Sequence, residues 1–304
     1  MNKDFVDQLN FEQFYKESKG VTDIKEAKPF NRMIAHSKNF FLISGYGAFT
    51  PGYIILITKE FVPSYALVHD EDLEELNFII KLSKENINES YDRKSIIFEH
   101  GMCSCIGGLD RAHLHIMSIH KSSSEKSLKD AINKTLFDRK AGVKHIEFNG
   151  YKLENIHDIT HFMEVSRNKK NTDFKVIGNI LKFDDIKNLE EQKWPKNTLP
   201  HVNKGGHYVF FRSDYLNSSF LTTNNFQTQF GRQVVFENEC KLDKTFEQMV
   251  DNRKKNNEFL ELWKWQNQKF EKNIIETINS SKKSLKKFKT KYAKEFEKFK
   301  FEIL

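Results

Sequence analysis

The chain of 304 residues contains only three cysteines and no long apolar run. An odd, small number of cysteines cannot form the disulfide framework of a secreted domain, which favours a reducing compartment. No stretch approaches the roughly 20 apolar residues of a membrane-spanning helix. The N-terminal residues MNKDFVDQLNFEQF also lack the hydrophobic run of a secretory signal. These absences predict a cytoplasmic protein with no transmembrane segment.

Most of the chain also has almost no net positive charge. The formal net charge is +7, but residues 281–304 alone hold nine lysines and three glutamates. Six apolar residues of this tail recur at the spacing of one helix face, namely Leu285, Phe288, Tyr292, Phe296, Phe299 and Ile303. The tail is therefore predicted to be a basic amphipathic helix. It either packs its stripe on the body or on a second subunit, or binds nucleic acid or an anionic membrane surface.

The apolar pattern of the first half predicts an α+β protein. FFLIS (40–44) and YIILIT (53–58) are typical of two strands, and the glycines and proline between them predict a hairpin turn. Helical spacing follows over 70–91, and two further strands are expected at 95–99 and 112–119. The order strand, strand, helix, strand, strand indicates an antiparallel sheet with packed helices.

The second half is expected to extend this core with a hairpin and helices. Within it we expect a helix over 123–137, a hairpin of strands 207–213 and 218–224, and a helix over about 227–237. The predicted organisation is a lead at 1–29, a core at 30–122, an extension at 123–280 with an unassigned polar insert at 166–204, and the tail at 281–304.

Two histidines two positions apart mark the last core strand. Side chains two apart on a strand share a face, so His113, His115 and Met117 should project together, with the two histidine Cα atoms about 7 Å apart. The pair could be half-buried structural histidines, or ligands of a metal ion. It could also be a catalytic pair in which a neutral imidazole attacks phosphorus. The spacing alone leaves these three interpretations open.

The surrounding residues favour the third interpretation. FEHG at 98–101 and DRAHLHIMSI at 110–119 resemble the signature of the histidine-triad family of nucleotide hydrolases and transferases. They are most similar to a microbial branch described as diadenosine-polyphosphate-hydrolase-like. The similarity extends to FFLISGYGAFTPGYIILITKEF at 40–61, and to QFGR at 229–232 and LWKW at 262–265. This resemblance implies a histidine-triad-like antiparallel sheet, extended at its C-terminal side by a hairpin and helices.

The resemblance also implies a two-step reaction. His115, the middle histidine, would attack the α-phosphate of a dinucleoside polyphosphate or a related nucleotide. The nucleotidyl-histidine intermediate would then pass its nucleotide to water or to another acceptor. Imidazole suits this role because it is nucleophilic when neutral near pH 7 and leaves phosphorus readily once protonated. His113 would orient His115, and a homodimer is expected by analogy with the family.

Substrate contacts are expected from residues of the same motifs. They are Glu99, His100, Ser104, Gly107, Gly108, Met117, Gln229 and Arg232. The small residues of 104–108 could lay backbone N–H groups along the phosphates. Gln229 and Arg232, one helical turn apart, could face a phosphate, although such a pair is also common on a surface. No resident metal is predicted, but a divalent cation such as Mg²⁺ could arrive with the nucleotide.

Three positions depart from the family pattern. Met117 stands in the place of the third histidine, Tyr53 replaces a supporting histidine, and Glu99 stands where several members carry an amide. The nucleophile is thus predicted, whereas the general acid is not. Two other functions stay open. One is a nucleotide- or nucleic-acid-binding module with degenerate chemistry, and the other is an end-processing enzyme that removes adenylate from a 5′ phosphate of nucleic acid.

Overall fold

The computed structural model describes residues 32–59, 65, 68, 70–101, 112–138, 145–148, 174–177, 208–222, 229–256, 262–264 and 271–304. The predicted N-terminal lead at 1–29 lies outside the described residues. So do the glycine-containing loop at 104–108 and all of the 166–204 insert except 174–177.

One antiparallel sheet contains all ten described strands. They are β1 Met33–His36, β2 Phe40–Ser44, β3 Ile54–Thr58, β4 Lys94–Gly101, β5 His113–Ile119, β6 His145–Phe148, β7 Phe174–Ile177, β8 Tyr208–Arg212, β9 Asn217–Thr222 and β10 Glu302–Ile303. Their spatial order is β10-β1-β2-β3-β5-β4-β8-β9-β6-β7. The predicted hairpins β2–β3 and β8–β9 are confirmed. The strands predicted at 95–99 and 112–119 are β4 and β5, and the structure pairs them at the centre of the sheet.

Helices cover the two faces of the central strands. They are α1 Leu73–Tyr91, α2 Glu125–Asp138, α3 Phe230–Leu242, α4 Lys244–Lys255, α5 Glu271–Lys291 and α6 Ala293–Lys298, with a 3-10 turn at Asp70–Asp72 before α1. No described helix is long and apolar enough to cross a membrane. The described residues therefore confirm the predicted α+β class.

The side chains of β5 alternate between two hydrophobic cores. Leu114 and Ile116 pack with α1 and the C-terminal segment, whereas Met117 and Ile119 pack on the opposite face with α2 and α3. Because alternate residues of a strand share a face, His113 and His115 lie on the side of Met117. The expected common face of these three residues is thus confirmed.

The predicted start of the helix near 227 is wrong by a few residues. Gln229 adopts the left-handed backbone conformation with φ of 63°, so the regular helix α3 begins only at Phe230. The helix then continues to Leu242, beyond the predicted end at about 237.

The prediction of one helix over 281–304 is also wrong in its extent. Helix α5 starts ten residues earlier, and the short α6 follows it after a break at Tyr292. Lys300 has a φ of 47°, and the chain then turns into β10, which pairs with β1 at the edge of the sheet. The buried aromatic residues of the tail lie in the same core as β1 to β3 and α1, namely Phe288, Phe296, Phe299 and Phe301. The apolar stripe therefore packs on the body of the protein.

Candidate functional site

His115 lies between two aromatic rings at the centre of the sheet. Phe98 is its direct neighbour on β4, and their ring centroids are 4.6 Å apart with an interplanar angle of 10°. On the other side, β3 pairs Ile55 with His115, and Tyr53 stands two residues before Ile55 on the same face. The Tyr53 ring is 5.9 Å from the imidazole at an angle of 22°. Strand register thus holds the imidazole plane in one orientation.

A hydrogen bond fixes one of the two ring nitrogens of His115. Its Nδ1 lies 2.6 Å from the hydroxyl oxygen of Tyr53, and the direction of donation depends on the tautomer. His113 approaches the same ring edge-on, with the ring centroids 4.9 Å apart. Because Nδ1 is occupied, Nε2 is the ring nitrogen of His115 that remains for chemistry.

The electrostatic environment favours the neutral form of His115. Burial is the main cause that lowers the pKa of this imidazole well below its ordinary value. The positive charges of His113, His100 and Arg232 lower that pKa further. Burial also raises the pKa of the Tyr53 phenol, so the hydroxyl keeps its proton at neutral pH. A neutral imidazole is the form that can act as a nucleophile.

The depressed pKa of His115 predicts a pH dependence of stability. Below about pH 6.5 the unfolded chain binds a proton at this histidine, whereas the folded protein does not. The folded state therefore becomes less stable relative to the unfolded state as the pH falls. Between about pH 7.5 and 5.5, the free energy of unfolding should decrease by up to about 1.4 kcal/mol more in the wild type than in a His115→Gln variant. Urea titrations of both proteins at each pH measure this difference, and parallel pH profiles would contradict it.

The start of α3 reaches the same face of the sheet. The backbone N–H of Gly231 donates to Nε2 of His100 at 3.1 Å. A Cβ at Gly231 would lie 2.2 Å from the Phe98 ring, so only glycine allows the helix this close to the residue that stacks on His115. Helix N-termini favour negative charge because their first N–H groups lack partners within the helix. The Gly231 N–H is used to hold His100, and the helix dipole adds a positive potential beside the histidines.

Arg232 of α3 is buried beside the site and hydrogen-bonds to backbone carbonyls of neighbouring segments. It is 2 % exposed, and its Nε donates to the carbonyl of Trp263 at 2.6 Å. Its terminal nitrogens donate to the carbonyls of Tyr46, at 2.8 Å, and of Gly47. The guanidinium carbon also lies 5.1 Å from the centre of the Tyr53 ring. These contacts join α3 to the β2–β3 turn and to the tyrosine that holds His115.

A second buried arginine adds to the positive charge. Arg32 is 3 % exposed, donates to the carbonyl of Ser44, and lies with its guanidinium carbon 3.5 Å from the centre of the Tyr46 ring. Burial lowers its pKa to about 10, which still leaves it charged near neutral pH. Within the described part of the chain no carboxylate forms an ion pair with Arg32 or Arg232. The surroundings of Tyr53 therefore favour an anionic ligand.

Two of the predicted substrate-binding residues are buried away from the imidazole edge. Glu99 is 1 % exposed and accepts a hydrogen bond from the backbone N–H of Tyr65 at 2.8 Å. It follows Phe98 on β4, so it points to the opposite face of the sheet from His115. Met117 shares the face of His115 but is fully buried in the core with α2 and α3.

The remaining predicted residues divide into those near the site and those outside the description. His100 lies on the face of Phe98, and Gln229 immediately precedes α3. Ser104, Gly107 and Gly108 fall outside the described residues. Sequence reasoning did not single out Phe98 as a site residue. Strand alternation groups it with His100, but only the pairing of β4 with β5 brings it onto His115.

The described residues supply no further ligands that would make a metal site of His113 and His115. Across the described ranges, no group of three or more histidine, cysteine, aspartate or glutamate side chains is arranged to hold a metal ion.

Comparisons with protein-family models and with curated proteins find no match to this chain. The resemblance to the histidine-triad family thus stays a prediction from the quoted motifs. The site itself consists of a stacked histidine of lowered pKa on the sheet, beside two buried arginines and the N-terminus of α3.

Proposed function

We propose that this protein is a nucleotidyl hydrolase or transferase of the histidine-triad type. His115 acts on the α-phosphate of a dinucleoside polyphosphate or a related nucleotide. The observation that carries the proposal is the state of His115: a neutral imidazole, stacked on Phe98, with Nδ1 held 2.6 Å from the Tyr53 hydroxyl. This arrangement leaves Nε2 as the attacking atom.

In the first step of the proposed reaction, the lone pair of His115 Nε2 attacks the α-phosphorus. A P–N bond forms, the P–O bond to the remaining polyphosphate breaks, and its electron pair leaves on the polyphosphate oxygen. In the second step, water or another acceptor attacks phosphorus, the P–N bond breaks with its electron pair returning to Nε2, and the proton of the acceptor passes to bulk water. Nε2 has a lone pair only when the ring proton is on Nδ1, so Nδ1–H donates to the Tyr53 oxygen throughout this proposal.

The charge around the site supports a phosphate substrate. Arg232 and Arg32 place two buried guanidiniums around Tyr46 and Tyr53, and the N-terminus of α3 lies beside His100. Both features stabilise negative charge, which is present in the substrate and grows on the leaving oxygen in the transition state. A divalent cation such as Mg²⁺ would enter, in this proposal, as part of the nucleotide complex.

One observation favours a second candidate function. Met117, in the place of the third histidine of the family, is 0 % exposed and apolar, so it supplies no proton to a leaving group. A protein that binds nucleotides at this site without cleaving them is the corresponding alternative. The two candidates differ in whether a covalent intermediate forms.

The test is mass spectrometry of the protein quenched during incubation with diadenosine tetraphosphate. Alkaline quenching preserves the P–N bond, which acid hydrolyses. We expect an adenylate adduct that peptide mapping assigns to His115, together with mononucleotide products. Nucleotide binding without adduct or product, across a panel of dinucleotides, would contradict the enzymatic proposal and favour the binding module.

A further inference from the structure

The outer face of α5 carries a row of lysines. The inner face of this helix is buried against the body through Thr277, Ser281, Ser284, Leu285 and Phe288. The outer face exposes Lys283, Lys286, Lys287 and Lys289, and Lys282 lies at its border. None of these five lysines forms an ion pair with any part of the chain that the structure describes. The row is therefore an uncompensated strip of positive charge.

The strip is linear and its charges repel each other. An α-helix rises about 1.5 Å per residue, so the pairs Lys282–Lys283 and Lys286–Lys287 repeat at about 6 Å along the axis. Partial burial lowers the pKa of Lys282, and the neighbouring charge of Lys286 lowers it further. A polyanion would relieve this repulsion, because its charges are also arranged along a line.

The packing of α5 argues against a membrane as the partner. An amphipathic helix binds a bilayer by inserting its apolar face among the lipids. In α5 that face is already occupied, because Leu285 and Phe288 lie in the core with α1. Among the described residues, the exposed large hydrophobic side chains are Tyr215 and a single residue of α5, Ile275, and one isoleucine is too little apolar surface to insert a helix among lipids. An extended protein interface, which needs an apolar centre, is disfavoured for the same reason.

We propose that the lysine row of α5 binds the phosphate backbone of a nucleic acid. Phe288, Phe296 and Phe299 of the tail are buried, and the half-buried Tyr292 packs on the same core with its hydroxyl donating to Glu85, so these rings are not presented to bases. Contacts are thus made by lysines to phosphates and carry no sequence information. The binding depends on charge and on counterion release, and it does not rest on the proposed nucleotidyl chemistry at His115.

The test compares two triple variants that remove the same formal charge. Lys283→Gln, Lys286→Gln and Lys287→Gln together remove three of the five charges of the row, whereas Lys244→Gln, Lys254→Gln and Lys255→Gln remove three charges from exposed lysines of α4. Binding of a labelled DNA duplex is measured by fluorescence anisotropy from about 50 to 200 mM salt. Neutralising these three lysines should reduce the slope of log K against log salt by about 3, since each phosphate contact contributes about 0.9. The wild type should then lose about 40-fold more affinity over this range than the α5 variant.

The α4 variant should keep the wild-type slope, and both variants should melt at the wild-type temperature. Equal slopes for the two variants, or no duplex binding by the wild type at about 50 mM salt, would overturn the proposal. Loss of binding to phosphatidylserine vesicles, with duplex binding unchanged in the α5 variant, would also overturn it and assign the row to a membrane. Cleavage of a small dinucleotide reports on His115 alone, so the two proposals fail independently.

Discussion

Replacing His115 with alanine should abolish nucleotide cleavage, with kcat reduced by at least about a thousandfold. The variant lacks the nitrogen that forms the P–N bond, so neither step of the proposed reaction can proceed through the protein. Nucleotide affinity should stay within about tenfold of the wild type, because the lost interaction belongs to the transition state. Product formation from diadenosine tetraphosphate and equilibrium binding of the same nucleotide measure the two quantities.

His120→Ala is the matched control for this variant. His120 follows the same strand, and its Nδ1 accepts a hydrogen bond from the Ser122 backbone N–H, outside the Phe98–Tyr53 stack. Its loss should leave kcat within a few-fold of the wild type. If His115→Ala does not fold, His115→Gln keeps a polar side chain at the position and serves the same purpose. Turnover comparable to the wild type in a folded His115 variant would rule out the mechanism.

The second large effect concerns stability and the C-terminal segment. Phe296→Ala should lower the free energy of unfolding by about 3–5 kcal/mol, the usual cost of truncating a buried phenylalanine. Phe296 is 3 % exposed and packs edge-to-face on Phe78 of α1, with the ring centroids 6.0 Å apart. It also contacts Phe301 at 4.8 Å, immediately before β10. The variant thus leaves a cavity where the tail meets the body.

Glu297→Ala provides the control, since Glu297 is exposed on the same short helix. Urea denaturation of the two variants and the wild type measures the difference. A loss below about 1 kcal/mol for Phe296→Ala would mean that the tail is not part of the core. If Phe296 is part of the core, deleting 281–304 would expose that core and destabilise the protein. The charge of the lysine row is therefore tested by substituting the lysines and not by truncation.

Local patterns in the sequence were sufficient for several elements. The continuous apolar runs at 40–44 and 53–58, with glycines and a proline between them, are signals contained in adjacent residues, and they predicted the β2–β3 hairpin. The common face of His113, His115 and Met117 follows from the two-residue period of a strand. The spacing of side chains along a strand depends only on neighbouring residues, which is why these predictions agree with the structure.

Contacts between distant segments could not be predicted in this way. The stacking of Phe98 on His115 requires the register of β4 against β5, and the bond from Tyr53 requires the register of β3 against β5. The tail illustrates the same limit. Its spacing predicted one helix, but the chain breaks at Tyr292 and turns at Lys300 because the last residues pair with β1.

By itself, the sequence determined which side chains could carry the chemistry: an imidazole pair on one strand face and a lysine-rich amphipathic tail. The tertiary structure decided what these side chains meet. It turned the apolar stripe inward and left a row of lysines on the outer face of α5, and it surrounded His115 with Phe98, Tyr53 and buried positive charge. The physical reason is that burial and neighbouring charge set the pKa and orientation of an imidazole, and both depend on residues far away in the chain.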